Sequence, residues 1–278
     1  MPAPADITGL TEVQFKCTNG AGDVTTQTID LVNQAWNPSA IDSSQRVWVL
    51  DPKDPTTVPG AHGATVGTLT DRYIGGRTIG APGGAEMTIN TAGGPGGAHR
   101  TLALNGSAYA WSFAGASNSG LIALFNAANF ATGSAGYFAA YIKTDNTGIE
   151  RFFQWCTSTG GSTFAYRHSA TTRGVGYNVS GTARTADQSP DAQDTSWHVV
   201  EFMKSGATIT VTIDGTDVVS HTVTDTGGLT AAHFIMGANR AASANTADWT
   251  GQCYRQIGLN VIPDGTLRTS IRTWLAAA

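Results

Sequence analysis

The sequence predicts an all-β antiparallel sandwich closed by a short carboxyl-terminal helix, and three observations carry that reading. Apolar residues come in short pieces of period two. Ile209, Val211 and Ile213 interleave with Thr208, Thr210 and Thr212, giving one apolar face and one hydroxylated face. Turn signals separate these pieces at short spacing, as in Ser205-Gly206 and Asp214-Gly215, and Asp-Gly supplies the positive φ angles of a tight hairpin. Composition agrees. Glycine makes up 34 of 278 residues, and charged residues are 13%, about half the usual quarter. Such a chain suits strands and turns and is poor material for long helices.

The elements follow in order. Residues 1–34 read as a separate β-hairpin, with Val13, Phe15 and Cys17 alternating, a turn at Asn19-Gly20, and Val24 to Ile29 alternating again. A lone hairpin is marginal in water, so this one docks elsewhere, either as an anchoring arm or as two edge strands of the body. Residues 35–278 read as the sandwich domain. Arg46 to Leu50, Thr101 to Asn105, Gly136 to Lys143, Ile149 to Cys156, Thr163 to His168 and Gly174 to Val179 are its expected strands. Trp197 to Lys204, Ala207 to Ile213, Val218 to Val223, Phe234 to Gly237 and Trp249 to Leu259 complete them. Gly93 to Gly97 is a loop. Leu267, Ile271, Trp274 and Leu275 stand at i, i+4, i+7 and i+8, one face of a helix capped by Asp264 or Thr266.

Composition also excludes classes of function. The net charge is −4 and the 16 Lys and Arg form no cluster, so the electrostatic footprint of a nucleic-acid binder is missing. No stretch approaches the roughly 18 apolar residues of a membrane helix, and no membrane insertion is expected. The start, Met1-Pro2-Ala3-Pro4-Ala5-Asp6, has neither the basic region nor the apolar core of a secretory signal. Cys17, Cys156 and Cys253 are odd in number and match no metal spacing. They read as small buried thiols.

The run Thr195-Ser196-Trp197-His198-Val199-Val200-Glu201-Phe202-Met203-Lys204, then Ser205-Gly206, then Ala207 to Gly215, resembles the most recognisable segment of the concanavalin-A-like or laminin-G-like jelly-roll families. Trp36-Asn37-Pro38-Ser39 followed by Arg46 to Val58 resembles the opening of a jelly-roll family frequent in phage and marine bacterial proteins. Thr101 to Gly106 is similar to its sandwich-opening strand, Trp249 to Leu259 to its final strand, and the closing helix to its end. Leu69 to Gly76 departs from the pattern, having no Trp. The resemblance spans Trp36 to Leu275. It implies a fold that mostly binds ligands and only sometimes catalyses, with His198 structural.

No catalytic residues are expected. Glycosidases on this fold place carboxylates on alternate residues of one strand. Here Glu12, Glu86, Glu150 and Glu201 have no carboxylate two residues away, and Glu201 is expected on a polar sheet face. Tyr166-Arg167-His168 contains residue types of a lyase, but Arg167 leaves on the opposite side from Tyr166 and His168. Nucleophile-elbow and phosphate-loop signatures are lacking. Sugar binding needs aromatic faces with hydrogen-bonding neighbours, which singles out Trp155, Tyr166, His168, Asn239 and Arg240. Trp48, Trp111 and Trp197 read as buried core. The metal site is unknown. Structural calcium on Asp145, Asn146, Asn245 and Asp248 is the one cofactor considered.

The expectation is a non-enzymatic bacteriophage virion protein. It would be a head fibre, decoration or tail appendage with a lectin-like adhesin module for host-surface glycan, present in many copies or as a homo-oligomer. The amino-terminal segment would dock it to other virion proteins. Assembly in the host cytoplasm and action outside the cell reconcile a polar surface with the missing export signal, and a recombinant mature domain with an added Met would do the same. The alternative is a bacterial extracellular carbohydrate-binding module, and after it a polysaccharide-degrading enzyme.

Overall fold

A computed structural model describes residues 12–18, 20–22, 24–30, 36–64, 68–73, 78–80, 88–95, 101–105, 111–114, 124, 135–144, 150–156, 164–168, 172–179, 182–190, 195–223, 233–236, 238–241, 244–247 and 250–277. The chain divides into two compact units, Met1–Asn37 and Pro38–Ala278. The first holds an antiparallel hairpin of β1 (Glu12–Thr18) and β2 (Val24–Asp30), with Thr18 opposite Val24.

The second unit is a jelly-roll sandwich of two antiparallel sheets. Its strands are β3 (Arg46–Leu50), β4 (Thr68–Thr70), β5 (Thr78–Gly80), β6 (Thr88–Asn90), β7 (Thr101–Asn105), β8 (Trp111–Ala114), β9 (Ala135–Thr144), β10 (Glu150–Cys156) and β11 (Phe164–His168). Then follow β12 (Thr172–Val179), β13 (Thr182–Pro190), β14 (Trp197–Ser205), β15 (Thr208–Ile213), β16 (Thr216–Thr222), β17 (His233–Met236), β18 (Ala238–Ala241), β19 (Ala244–Ala247) and β20 (Thr250–Leu259). The larger sheet has eight strands in the order β16-β15-β14-β9-β20-β7-β6, with β3 also paired to β20. The smaller has six, in the order β13-β12-β11-β10-β17-β8. Two small ladders, β4 with β5 and β18 with β19, stand apart.

The core lies where the two sheets face each other. Phe138 on β9 meets Phe153 and Trp155 on β10 edge to face, at centroid distances of 4.9 and 5.8 Å. Phe202 on β14 meets the same two rings at 6.0 Å each. Edge-to-face contacts contribute about 0.5–1.5 kcal/mol apiece beyond the burial of area. Ile209, Val211 and Ile213 are buried as their period of two requires.

The turns obey local chemistry. Asp214 and Gly215 have φ of 51° and 85°, the mirror-image geometry that matches the strand twist between β15 and β16. The Asp214 carboxylate accepts from the Val199 amide at 2.9 Å, which fastens this hairpin to β14.

The opposite face of the larger sheet carries α1 (Gly265–Ala276), which buries Ile271, Trp274 and Leu275. Asp264 caps it, accepting from the Leu267 amide at 2.8 Å. Asp264→Ala is expected to lower stability by about 1 kcal/mol, read as a lower midpoint in urea denaturation with an unchanged slope.

Glu201 corrects the expectation of a polar sheet face. It does point away from Phe202, but that face lies beneath α1 and Glu201 is fully buried. Arg268 and Arg272 reach down from the helix to its carboxylate at 3.2 and 3.1 Å. Tyr137 donates to it at 2.9 Å and Thr212 at 2.6 Å. These hydrogen bonds outweigh burial and hold its carboxyl below the usual range. A second buried carboxylate, Asp51, pairs with Arg255 at 2.9 Å and with Arg72. Arg255 also donates to the carbonyls of Trp274 and Ala277, tying down the carboxyl end of α1.

Strands β4, β5, β6, β8, β18 and β19 were not expected from the sequence, and neither was β13. Its residues, Thr182–Pro190, are polar and end in proline, and its position at the edge of the smaller sheet explains both.

Candidate functional site

The five residues singled out for sugar binding belong to neighbouring strands. Trp155 is on β10, Tyr166 and His168 are on β11, which pairs with β10, and Asn239 and Arg240 are on β18, which lies against β10. Trp155 is 1% exposed, its ring set against Phe138 and Phe202, so its faces serve the core rather than a ligand. Tyr166 pairs with Phe153 in register, which places its position on the core-facing side of the sheet. His168 stands opposite Glu150, Asn239 opposite Thr246, and Arg240 opposite Asn245. Only the strand positions of Tyr166, His168, Asn239 and Arg240 are described.

A different cluster stands at the end of the larger sheet where β14 begins. The register places Trp197 at the start of β14 beside Lys143 near the end of β9, and Lys143 beside Gln252 on β20. Trp197 stacks on Tyr141 with centroids 5.0 Å apart and planes 30° apart. Trp197, Tyr141, Lys143 and Gln252 are all half-buried. The expectation that Trp197 is a core residue therefore gives way, because it sits at a strand end where the sheet face meets solvent. Trp48 does belong to the core, with no exposed surface. Only the strand position of Trp111, on β8, is described.

Polar groups lie on the strands that carry the pair and on the turn beside them. His198 Nδ1 lies 2.6 Å from Asp214 Oδ2, and the other Asp214 oxygen takes the Val199 amide. Gln252 accepts from the Thr101 hydroxyl at 2.6 Å. Burial, and then the negative charge of Asp214, push the Tyr141 hydroxyl upward in pKa, so it stays protonated and able to donate. Flat ring faces beside fixed donors and acceptors can hold the C–H face and hydroxyls of a sugar ring.

Glu201 and Asp51 are buried and committed to arginines. Cys253 is buried and unpaired, and burial pushes its thiol up to about 12, far from a reactive thiolate. Among the described residues no group of three or more His, Cys, Asp or Glu is placed to hold a metal ion. The calcium candidates Asp145, Asn146 and Asp248 lie outside the described residues, and Asn245 is described only as a position on β19.

Sequence reasoning quoted Trp197, His198 and Asp214 as parts of a strand–turn–strand pattern but assigned them no ligand. Their proximity to Tyr141 depends on the pairing of β14 with β9, and the two strands are far apart in the chain. The alternation of Tyr137, Ala139 and Tyr141 against Phe138, Ala140 and Ile142 was the available signal, since it places Tyr141 off the core side.

No family model matches this sequence, and no curated protein matches it significantly. Solved structures do match in fold. The CBM40 domain of the Ruminococcus gnavus IT-sialidase, a carbohydrate-binding module solved bound to α2,3-sialyllactose, aligns with a TM-score of 0.50 at 7% identity. The alignment covers 62% of this chain and 95% of that one. Botulinum neurotoxin type C, whose cell entry depends on two ganglioside molecules, aligns with a TM-score of 0.53 at 9% identity over 83% of this chain. Trypanosoma rangeli sialidase, in complex with 2,3-difluoro-KDN, aligns with a TM-score of 0.54 at 14% identity over 85% of this chain. The chain spans 51% of the neurotoxin chain and 33% of the sialidase chain. What this chain shares with all three is the lectin-like β-sandwich.

Proposed function

We propose that this chain is a non-catalytic glycan-binding module, with the stacked Tyr141–Trp197 pair as its sugar platform. One observation carries the reading: two large aromatic rings stack half-exposed at a sheet end, with the Asp214 carboxylate close enough to act on the Tyr141 hydroxyl and with Lys143 and Gln252 in register on the same sheet face. Occurrence of the same fold among carbohydrate-binding modules supports it. Single sites of this size bind weakly, and repeated copies would supply avidity.

A glycan array on the purified chain tests the proposal. Ligand binding is expected, and Trp197→Ala is expected to weaken it at least tenfold while the folded structure persists. An array without ligands, or a ligand indifferent to both Trp197→Ala and Tyr141→Ala, would sink it.

The second reading sets this module in a bacteriophage virion, in many copies and held through its amino-terminal hairpin. The observation that favours it is the separation of Met1–Asn37 as a compact unit of its own. Mass spectrometry of purified particles decides it: a stoichiometric amount of this chain supports the virion placement, and absence from particles ends it.

A further inference from the structure

The outer face of the smaller sheet presents an arrangement that the glycan platform leaves unused. Phe153 and Trp155 fix the inner face of β10 by their contacts with the larger sheet. On β11 the register sets Tyr166 opposite Phe153 and Phe164 opposite Trp155, so residues 165 and 167 take the outer face. Arg167 there stands directly opposite Arg151. Gly174 on β12 is the next position in the same row, and Asp187 on β13 follows it.

Directly opposed residues have Cβ atoms about 4.5–5.5 Å apart, and like charges placed so destabilise a sheet. This acidic chain has only 16 Lys and Arg against 20 Asp and Glu, yet two arginines occupy facing positions. Asp187 is the one acidic position in the row. It is two strands from Arg167, and Gly174, with no side chain, lies between them. Two arginine positions against one aspartate position give the row a net positive formal charge. A β-bulge interrupts the register beside the pair, between Arg151 and Phe153. Bulges re-aim side chains and concentrate next to functional sites.

We propose that Arg151 and Arg167 form a second ligand site, specific for a carboxylate- or sulfate-bearing sugar unit of an acidic glycan. A planar guanidinium fork matches either anion in a bidentate fashion. A bound anion between two such groups turns their repulsion into shared attraction. That the ligand is a sugar rests on the glycan reading above, whereas recognition of the anionic group does not.

The test compares dextran, carboxymethyl dextran and dextran sulfate, three probes with one backbone, by calorimetry on the wild type, Arg167→Gln, Arg151→Gln, Arg167→Lys, Lys53→Gln and Trp197→Ala. Wild type is expected to bind at least one charged probe tenfold or more tightly than dextran, and which one identifies the anion. Either Gln variant should erase most of that preference. Arg167→Lys should lose much of it despite keeping the charge, and exposed Lys53→Gln should keep it. Trp197→Ala should weaken all probes and leave the ratio intact, which separates failure of this site from failure of the platform. Thermal unfolding gives an independent readout. Removing one of two opposed like charges should leave Tm unchanged or raise it. A lowered Tm in Arg167→Gln would make the arginine part of a structural ion pair and overturn the proposal, as would a charge preference untouched by both Gln variants.

Discussion

Trp155→Ala is expected to destabilise the sandwich by about 3–5 kcal/mol, the range for removing a buried aromatic side chain. The ring is 1% exposed and wedged between Phe138 and Phe202, beside Phe153, so its loss opens a cavity where both sheets meet. Stability of whole domains is only about 5–15 kcal/mol. The variant should therefore unfold at markedly lower urea or be recovered poorly, and Trp155→Phe should recover most of the loss. Any fraction that folds should keep its glycan affinity. Unchanged stability with abolished binding would instead return Trp155 to the ligand site.

Glu201→Ala is expected to cost a similar amount, about 3–5 kcal/mol, by a different route. Removing one partner of a buried ion pair leaves the other charge desolvated and unpaired. Here two arginines, a tyrosine hydroxyl and a threonine hydroxyl lose their common acceptor at once. The effect should focus on α1: amide exchange across Gly265–Ala276 should accelerate more than exchange in β9 or β14. The pH dependence has a definite sign. The folded-state carboxyl titrates below its ordinary value near 4.5. Its contribution is therefore complete above that value and fades as pH falls through the folded-state pKa. Glu201→Gln should flatten this acid limb of the stability profile, and an unchanged limb would show that other carboxylates govern it.

The longer alternating strands and the closing helix were legible in the sequence because side-chain alternation is a local property. The threonines of Thr208–Ile213, the Asp214-Gly215 turn and the helix stripe of Ile271, Trp274 and Leu275 each announce themselves within a few residues. Pairings between distant strands were not legible. Glu201 reads as solvent-facing when only β14 is considered, and its burial depends on arginines more than sixty residues later. Trp155 and Trp197 exchanged expected roles for the same reason. Residue type marks both as candidates, but only the sheet order shows that one meets Phe138 and the other meets solvent beside Tyr141. Strand β13 was missed because an edge strand needs no apolar alternation.

The ties from α1 to the sheet also set a schedule for synthesis. Strand β3, among the first of the sandwich to leave the ribosome, pairs with β20, the last, and nearby Asp51 must wait for Arg255. The Glu201 carboxylate likewise waits for residues 268 and 272. Until those residues emerge, the larger sheet lacks its central pairing and holds an uncompensated charge on a face that will be buried. Contacts of such long sequence separation slow folding and prolong exposure of unpaired strands. The larger sheet therefore cannot complete its pairing before β20 and α1 are made, and until then it presents unpaired strand edges.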